Sequence, residues 1–276
     1  QGKTDEAELV VRDFEVLIRE DGASADDTVS FIASELDKRN LSSTGIIAAA
    51  AWASMSSGHR DGALEYLGRI IASDPCDDYA YGQLRRLHLS ARNYDKLLDL
   101  SGAAFDNSGC AAEKARFSFD MGIALFMLKR YEDAVKKFHT SAGLSKEYYD
   151  DSMQLIRVCR FRQAKQAVDT DDELTLKEVQ KNPDRYKGKG IDWEGSVLDV
   201  WEKGGKTTVQ LIADGDVAFV TIDQVLKGIV KGNDIRVAGV VSGSQTYQAL
   251  SGQIKTVPTI KASCVLLASD FTIVLR

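Results

Sequence analysis

Met121-Gly122-Ile123-Ala124-Leu125-Phe126-Met127-Leu128-Lys129-Arg130-Tyr131-Glu132-Asp133-Ala134-Val135-Lys136-Lys137-Phe138 is the stretch that decides the fold of this 276-residue chain. Small residues at Gly122 and Ala134 let two antiparallel helices approach closely. Large ones at Met121, Leu125, Tyr131 and Phe138 fill the seam against the next hairpin. The same spacing recurs upstream in Ala51, Ser54, Gly58, Ala63, Leu67 and Ile70, closed by Asp74-Pro75. A more degenerate copy runs through Leu84, His88, Tyr94, Leu97, Ser101 and Ala104. Three helical hairpins are therefore predicted, over 44–76, 78–109 and 112–144.

These spacings resemble the tetratricopeptide repeat over about 100 residues, although the middle copy lacks the usual Gly-and-Ala pair. The resemblance implies a right-handed α-superhelix that binds a protein or peptide on its concave side and performs no catalysis. Matched to the repeat, the groove-lining positions are Trp52, Met55, Tyr79, Arg86, Phe119, Ile123 and Phe126. Buried aromatics with an arginine are the anchors expected for an amphipathic helix or an extended peptide. The competing expectation is that the same side chains pack against the chain's own last helix or its second domain.

Helical periodicity also brackets the repeats. Leu9, Val10, Phe14, Leu17 and Ile18 make one apolar face and Val29, Phe31, Ile32 and Leu36 the next, a divergent leading hairpin. A closing helix from Glu147 to Ala167 carries Tyr148, Met153, Ile156, Cys159 and Phe161. The acidic run from Asp169 to Glu173 reads as a linker, and a short helix from Leu174 to Lys181 stops at Asn182-Pro183. Alternation then replaces helical spacing. Val197, Val200 and Trp201 lead into the turn Gly204-Gly205, and Val209 and Leu211 into Asp214-Gly215. Val217, Phe219 and Ile222 follow, then a helix-like piece from Gln224 to Ile229, then Ile235, Val237 and Val240. Thr256 to Leu267 and Phe271 to Leu275 complete five or six short strands, as in a small closed barrel. The run from Asn182 to Lys189, Trp193-Glu194-Gly195-Ser196-Val197 and the run from Gly232 to Gly239 resemble the OB-fold in its bacterial tRNA-anti-like form. The expected fold is thus multidomain α and β: a helical repeat domain over 1–168 and an OB-like β-barrel over 169–276.

Charge and motifs narrow the function further. Net charge is −6, with 13 Lys and Arg against 14 Asp and Glu from Asp171 onward and 22 against 27 before it. Neither part carries the cationic excess of a polyanion-binding surface, so nucleic acid is not an expected partner. An OB-like barrel could still hold a nucleic acid or glycan through Trp193, Trp201, Phe219 and Tyr247 with Lys206, Arg236 and Lys255, and this is the alternative function. Gly204-Gly205-Lys206-Thr207 ends like a phosphate loop, but Val200 stands where its first glycine is needed. His59, His88 and His139 lie in separate helices at no ligand spacing, and Asp214-Gly215-Asp216 is too short for a calcium loop. No metal, cofactor or catalytic constellation is expected. None of Cys76, Cys110, Cys159 and Cys264 forms a CxxC pair. Cys76 and Cys110 are one repeat length, 34 residues, apart, and are read as either free thiols or a disulfide. The longest apolar run, Ile46 to Ala53, is too short to span a bilayer, and no signal peptide is read at Gln1-Gly2-Lys3. A periplasmic or cell-envelope setting is expected, with the cytoplasm as the alternative.

Overall fold

The computed structural model describes Ala51, residues 60–248 and residues 252–268. The predicted leading hairpin, Trp52, Met55 and the predicted strand over 271–275 lie outside the described residues. The chain divides into two compact units, Gln1–Leu128 and Lys129–Arg276. The first holds α1 (Arg60–Ser73), α2 (Asp78–Ser90), α3 (Tyr94–Asn107) and α4 (Ala111–Met127). The second begins with α5 (Tyr131–Leu144), α6 (Tyr149–Ala167) and α7 (Leu176–Lys181). It continues through β1 (Gly190–Lys203), β2 (Lys206–Ala213), β3 (Asp216–Ile222), β4 (Asp234–Gln248) and β5 (Ile254–Leu267).

The buried positions of the described helices follow the repeat spacing of the sequence. Ala63, Leu67 and Ile70 of α1, Leu97, Ser101 and Ala104 of α3, and Ala134, Phe138 and Ser141 of α5 are all buried. The spacing i, i+4, i+7 puts each trio on one helical stripe. The turns repeat too: Arg92 and Lys129 precede α3 and α5 by the same offset and both take a left-handed conformation, φ 57° and 61°. After α2 the Arg92 N–H bonds to Leu89 O and the Asn93 N–H to Leu87's neighbour His88 O, the paired bonds of a Schellman ending.

The irregular middle copy has a packing explanation. Ser101 stands where the next repeat has Phe138, and Tyr81 supplies the missing volume. Its ring meets Phe117 edge-on, with centroids 4.7 Å apart. Its hydroxyl donates to Asp120 Oδ2 at 2.8 Å and lies 2.9 Å from Ser101 Oγ. Arg85, at the position of Gly122 in the next copy, donates through Nε to Asp120 Oδ1 at 2.7 Å. A satisfied polar lattice thus replaces the small-residue contact.

In the second unit, α7 starts with a capping box. Thr175 accepts from the Glu178 N–H while Glu178 accepts from the Thr175 N–H. The five strands close into a barrel in the order β1-β2-β3-β5-β4. Closure depends on β1, whose first half pairs with β4 and whose second half pairs with β2, with an irregularity between Val197 and Asp199. Gly204-Gly205 and Asp214-Gly215 hold positive φ in the two tight hairpins, as their sequence predicts. Gly195 and Gly239 serve crowded crossings: a Cβ there would lie 2.3 Å from Ile212 O and 2.5 Å from Lys261 O. Ile191, Trp193, Val209, Leu211, Val220, Ile235, Val237 and Ile260 fill the interior. The expectation of a helix over Gln224 to Ile229 is corrected: the segment is irregular, with a turn at Lys227-Gly228. There the Thr207 N–H bonds to Gln224 O, Thr207 Oγ1 accepts from the Leu226 N–H, and Gly228 reverses at φ 91°.

Candidate functional site

The seven groove positions predicted from the repeat fare differently. Trp52 and Met55 lie outside the described residues. On α2, Tyr79 is 38% exposed and Arg86 is exposed, with half-buried Gln83 between them on the same stripe. On α4, Phe119 and Ile123 are half-buried and Phe126 is buried. Each stripe runs beside the residues that tie its helix to the other. Asp78, next to Tyr79, takes Arg116 at 2.7 Å, and Arg85, next to Arg86, takes Asp120. Arg116 also lies over the rings of Tyr81 and Phe117, 5.2 and 4.8 Å from their centroids. The two helices are therefore locked by an Arg/Asp/Tyr lattice that leaves the Tyr79–Arg86 stripe outward. Burial raises the Tyr79 pKa above its ordinary value. It raises that of Tyr81 further, reinforced by the Asp120 carboxylate, so both phenols stay protonated hydrogen-bond donors.

Both cysteines singled out by their repeat spacing are free thiols. Cys76 is half-buried, with Sγ 3.4 Å from Ala104 O, and burial raises its pKa. The carboxylates of Glu113 and Asp74 reinforce that rise, so Cys76 lacks the electropositive setting that activates a thiolate. Cys110 is exposed at the start of α4. Among the described residues there is no group of His, Cys, Asp and Glu side chains arranged to hold a metal. Nor is any described helix long and apolar enough to cross a membrane.

The barrel gathers three of its four predicted aromatic positions. Trp201, Phe219 and Tyr247 form an edge-to-face row, with centroids 5.7 and 5.4 Å apart. Phe219 is buried beneath its neighbours, whereas Trp201 is 40% exposed. Trp193 does not join them; it points into the barrel and donates Nε1–H to Leu174 O at 2.7 Å. The cations also separate. Lys206 and Lys261 both bind Asp223, at 2.6 and 3.1 Å, and lower its pKa.

Arg236 is committed elsewhere. Its Nε and a terminal nitrogen hold the Asp192 carboxylate at 2.7 and 2.8 Å, and Lys165 of α6 reaches the same carboxylate at 2.6 Å. Asp192 is 2% exposed, so this cluster joins α6 to β1 and β4 through one buried carboxylate. Burial pushes its pKa up, but the hydrogen bonds from Arg236 and Lys165 outweigh burial and leave it below the ordinary carboxylate value. Sequence alone missed this cluster because its members are scattered over three elements and match no motif.

No protein-family model matches the chain, and no curated protein matches it. Its fold is similar in part to solved structures at low identity. MamA (residues 41 to the end) from Desulfovibrio magneticus RS-1 is 15% identical, with a TM-score of 0.41, over 59% of this chain and 86% of that one. PilF of Pseudomonas aeruginosa is 13% identical, with a TM-score of 0.42, over 59% of this chain and 71% of that one. A mitochondrial single-stranded DNA binding protein from S. cerevisiae is 9% identical, with a TM-score of 0.22, over 29% of this chain and 91% of that one.

Proposed function

We propose that the chain is a non-catalytic binding protein that recruits a protein or peptide through its helical repeats. The docking face is the groove formed by Trp52, Met55, Tyr79, Arg86, Phe119, Ile123 and Phe126. In this reading the repeats extend over 1–168 and an OB-like barrel over 169–276 supplies a second contact. One observation carries the proposal: Tyr79 and Arg86 stay exposed on a helix that is locked from beneath by Asp120 and Arg116. Tyrosine and arginine on a preorganised surface are the residues that most often dominate binding energy. A photo-crosslinking residue placed at Tyr79 or Arg86 should trap one discrete partner in the source cells, and one at exposed Arg130 should not. Equal labelling from all three positions refutes the docking face. The proposed setting is a bacterial periplasm or cell envelope, and fractionation that places the chain in the cytoplasm would reverse it.

A second reading rests on the aromatic row of the barrel. Cross-strand pairing surrounds Trp201 and Phe219 with Thr208, Gln210, Thr221 and Thr259, all neutral hydrogen-bonding residues. Because Asp223 holds both Lys206 and Lys261 and leaves one net positive charge among the three, too little for a polyanion, the face favours a neutral glycan over a nucleic acid. Trp201 fluorescence should respond to a soluble oligosaccharide and not to oligothymidylate at low salt. A stronger response to the oligonucleotide overturns the order.

A further inference from the structure

An open pocket of about 390 Å³ lies within the second unit, at the small end of ligand clefts, which span roughly 300–1,000 Å³. Its walls include Lys129 and Tyr131 at the start of α5, Arg162 and Lys165 near the end of α6, and Thr170 and Asp172 in the connection to α7. These residues come from three separate stretches, and no motif connects them in the sequence.

Lys165 organises the pocket. Its side chain is 17% exposed and is anchored from below by the buried Asp192 at 2.6 Å. Its outer partner is different in kind. Asp172 reaches it at 2.7 Å, but the Asp172 side chain is 67% exposed and sits on an irregular connection. Thr170 donates to the same carboxylate at 3.3 Å. An ion pair with one partner this exposed adds little, so Asp172 is held weakly and can be displaced. The Lys165 hydrogen bond lowers its pKa, which keeps it an anion at neutral pH.

Lys129, Arg162 and Lys165 face Asp169 and Asp172 in the pocket wall, and beneath them Asp192 is shared by Lys165 and Arg236. The outer position on Lys165 is filled by one carboxylate, that of Asp172, so a group of the same charge and shape fits it. A phosphate dianion would bring two charges to that one position beside Asp169, whereas each side chain of an acidic peptide brings a single one.

We propose that this pocket receives a carboxylate of an acidic peptide, which replaces Asp172 on Lys165 between Lys129 and Arg162. Asp172 is then a tethered competitor that marks the position the ligand takes. The proposal is independent of the docking face on α2 and α4.

The test uses the full ¹⁵N-labelled chain titrated with a triglutamate peptide blocked at both ends, with blocked triglutamine and inorganic phosphate as comparisons. Triglutamate should shift the Lys129 and Thr170 amide signals saturably, and triglutamine should not. Asp172→Asn removes the internal competitor and should tighten triglutamate binding 3- to 10-fold. Lys129→Gln and Arg162→Gln should each weaken it at least 3-fold; Lys129 lies on an exposed turn, so its replacement leaves the fold intact. No saturable shift, an equal or stronger response to phosphate, or no tightening by Asp172→Asn overturns the proposal.

Discussion

Replacing Asp192 by asparagine should destabilise the second unit by about 3 kcal/mol. Three charged hydrogen bonds end on this carboxylate, two from Arg236 and one from Lys165. At roughly 1.5–3 kcal/mol each their plain sum overstates the loss. Breaking a buried ion pair costs about 3–5 kcal/mol because it strands the partner charge. Here the partners are not fully stranded: their side chains are 17% and 25% exposed, and Lys165 keeps Asp172. The lower end of that range therefore applies. At about 2–4 °C per kcal/mol for a domain of this size, the melting temperature should fall by about 6–12 °C. Urea unfolding followed by tryptophan fluorescence is a suitable assay, since Trp193 adjoins Asp192 on β1. The gap between wild type and Asp192→Asn should also depend on pH. The folded pKa is depressed, so the stabilisation is complete above the unfolded value of about 3.9 and disappears as pH falls through the folded value. A gap under about 1 kcal/mol at pH 7, or one that persists unchanged into strong acid, would refute the argument.

Other substitutions test the remaining packing. Tyr81→Phe should cost about 1.5–3 kcal/mol in chemical denaturation, because the hydroxyl serves a buried carboxylate. Arg92→Gly should stabilise the chain by roughly 0.5–1 kcal/mol, the left-handed strain relieved less the entropy glycine adds to the unfolded state. Gly239→Ala should cost more than about 2 kcal/mol or prevent soluble expression, since its Cβ would lie 2.5 Å from a backbone carbonyl. Thr207→Val should cost about 1–2 kcal/mol and speed hydrogen exchange at Leu226, whose N–H would lose its acceptor.

Sequence alone carried the features that depend on local spacing. The buried trios from Ala63 to Ser141 follow from helical periodicity, because one stripe of a helix must face its neighbour. Gly204-Gly205 and Asp214-Gly215 announce their hairpins, because few other residues take positive φ in tight turns. Gln224 to Ile229 shows the limit. Its residues allow a helical turn, and the buried Thr207 on a distant strand decides otherwise by binding Leu226 and Gln224. The sites divide in the same way. A repeat register names Tyr79 and Arg86 among seven groove-lining candidates, because position along the helix decides which face a side chain takes. It cannot reveal that Tyr81, Arg85 and Asp120 build the lattice beneath them. Nor can it bring Lys165, Asp192 and Arg236 to one carboxylate, or set Lys129 and Asp172 around one pocket. Those associations depend on which elements pack together. Periodicity is a property of the chain, whereas the convergence of charges across elements exists only once the barrel has closed and α6 has docked on it.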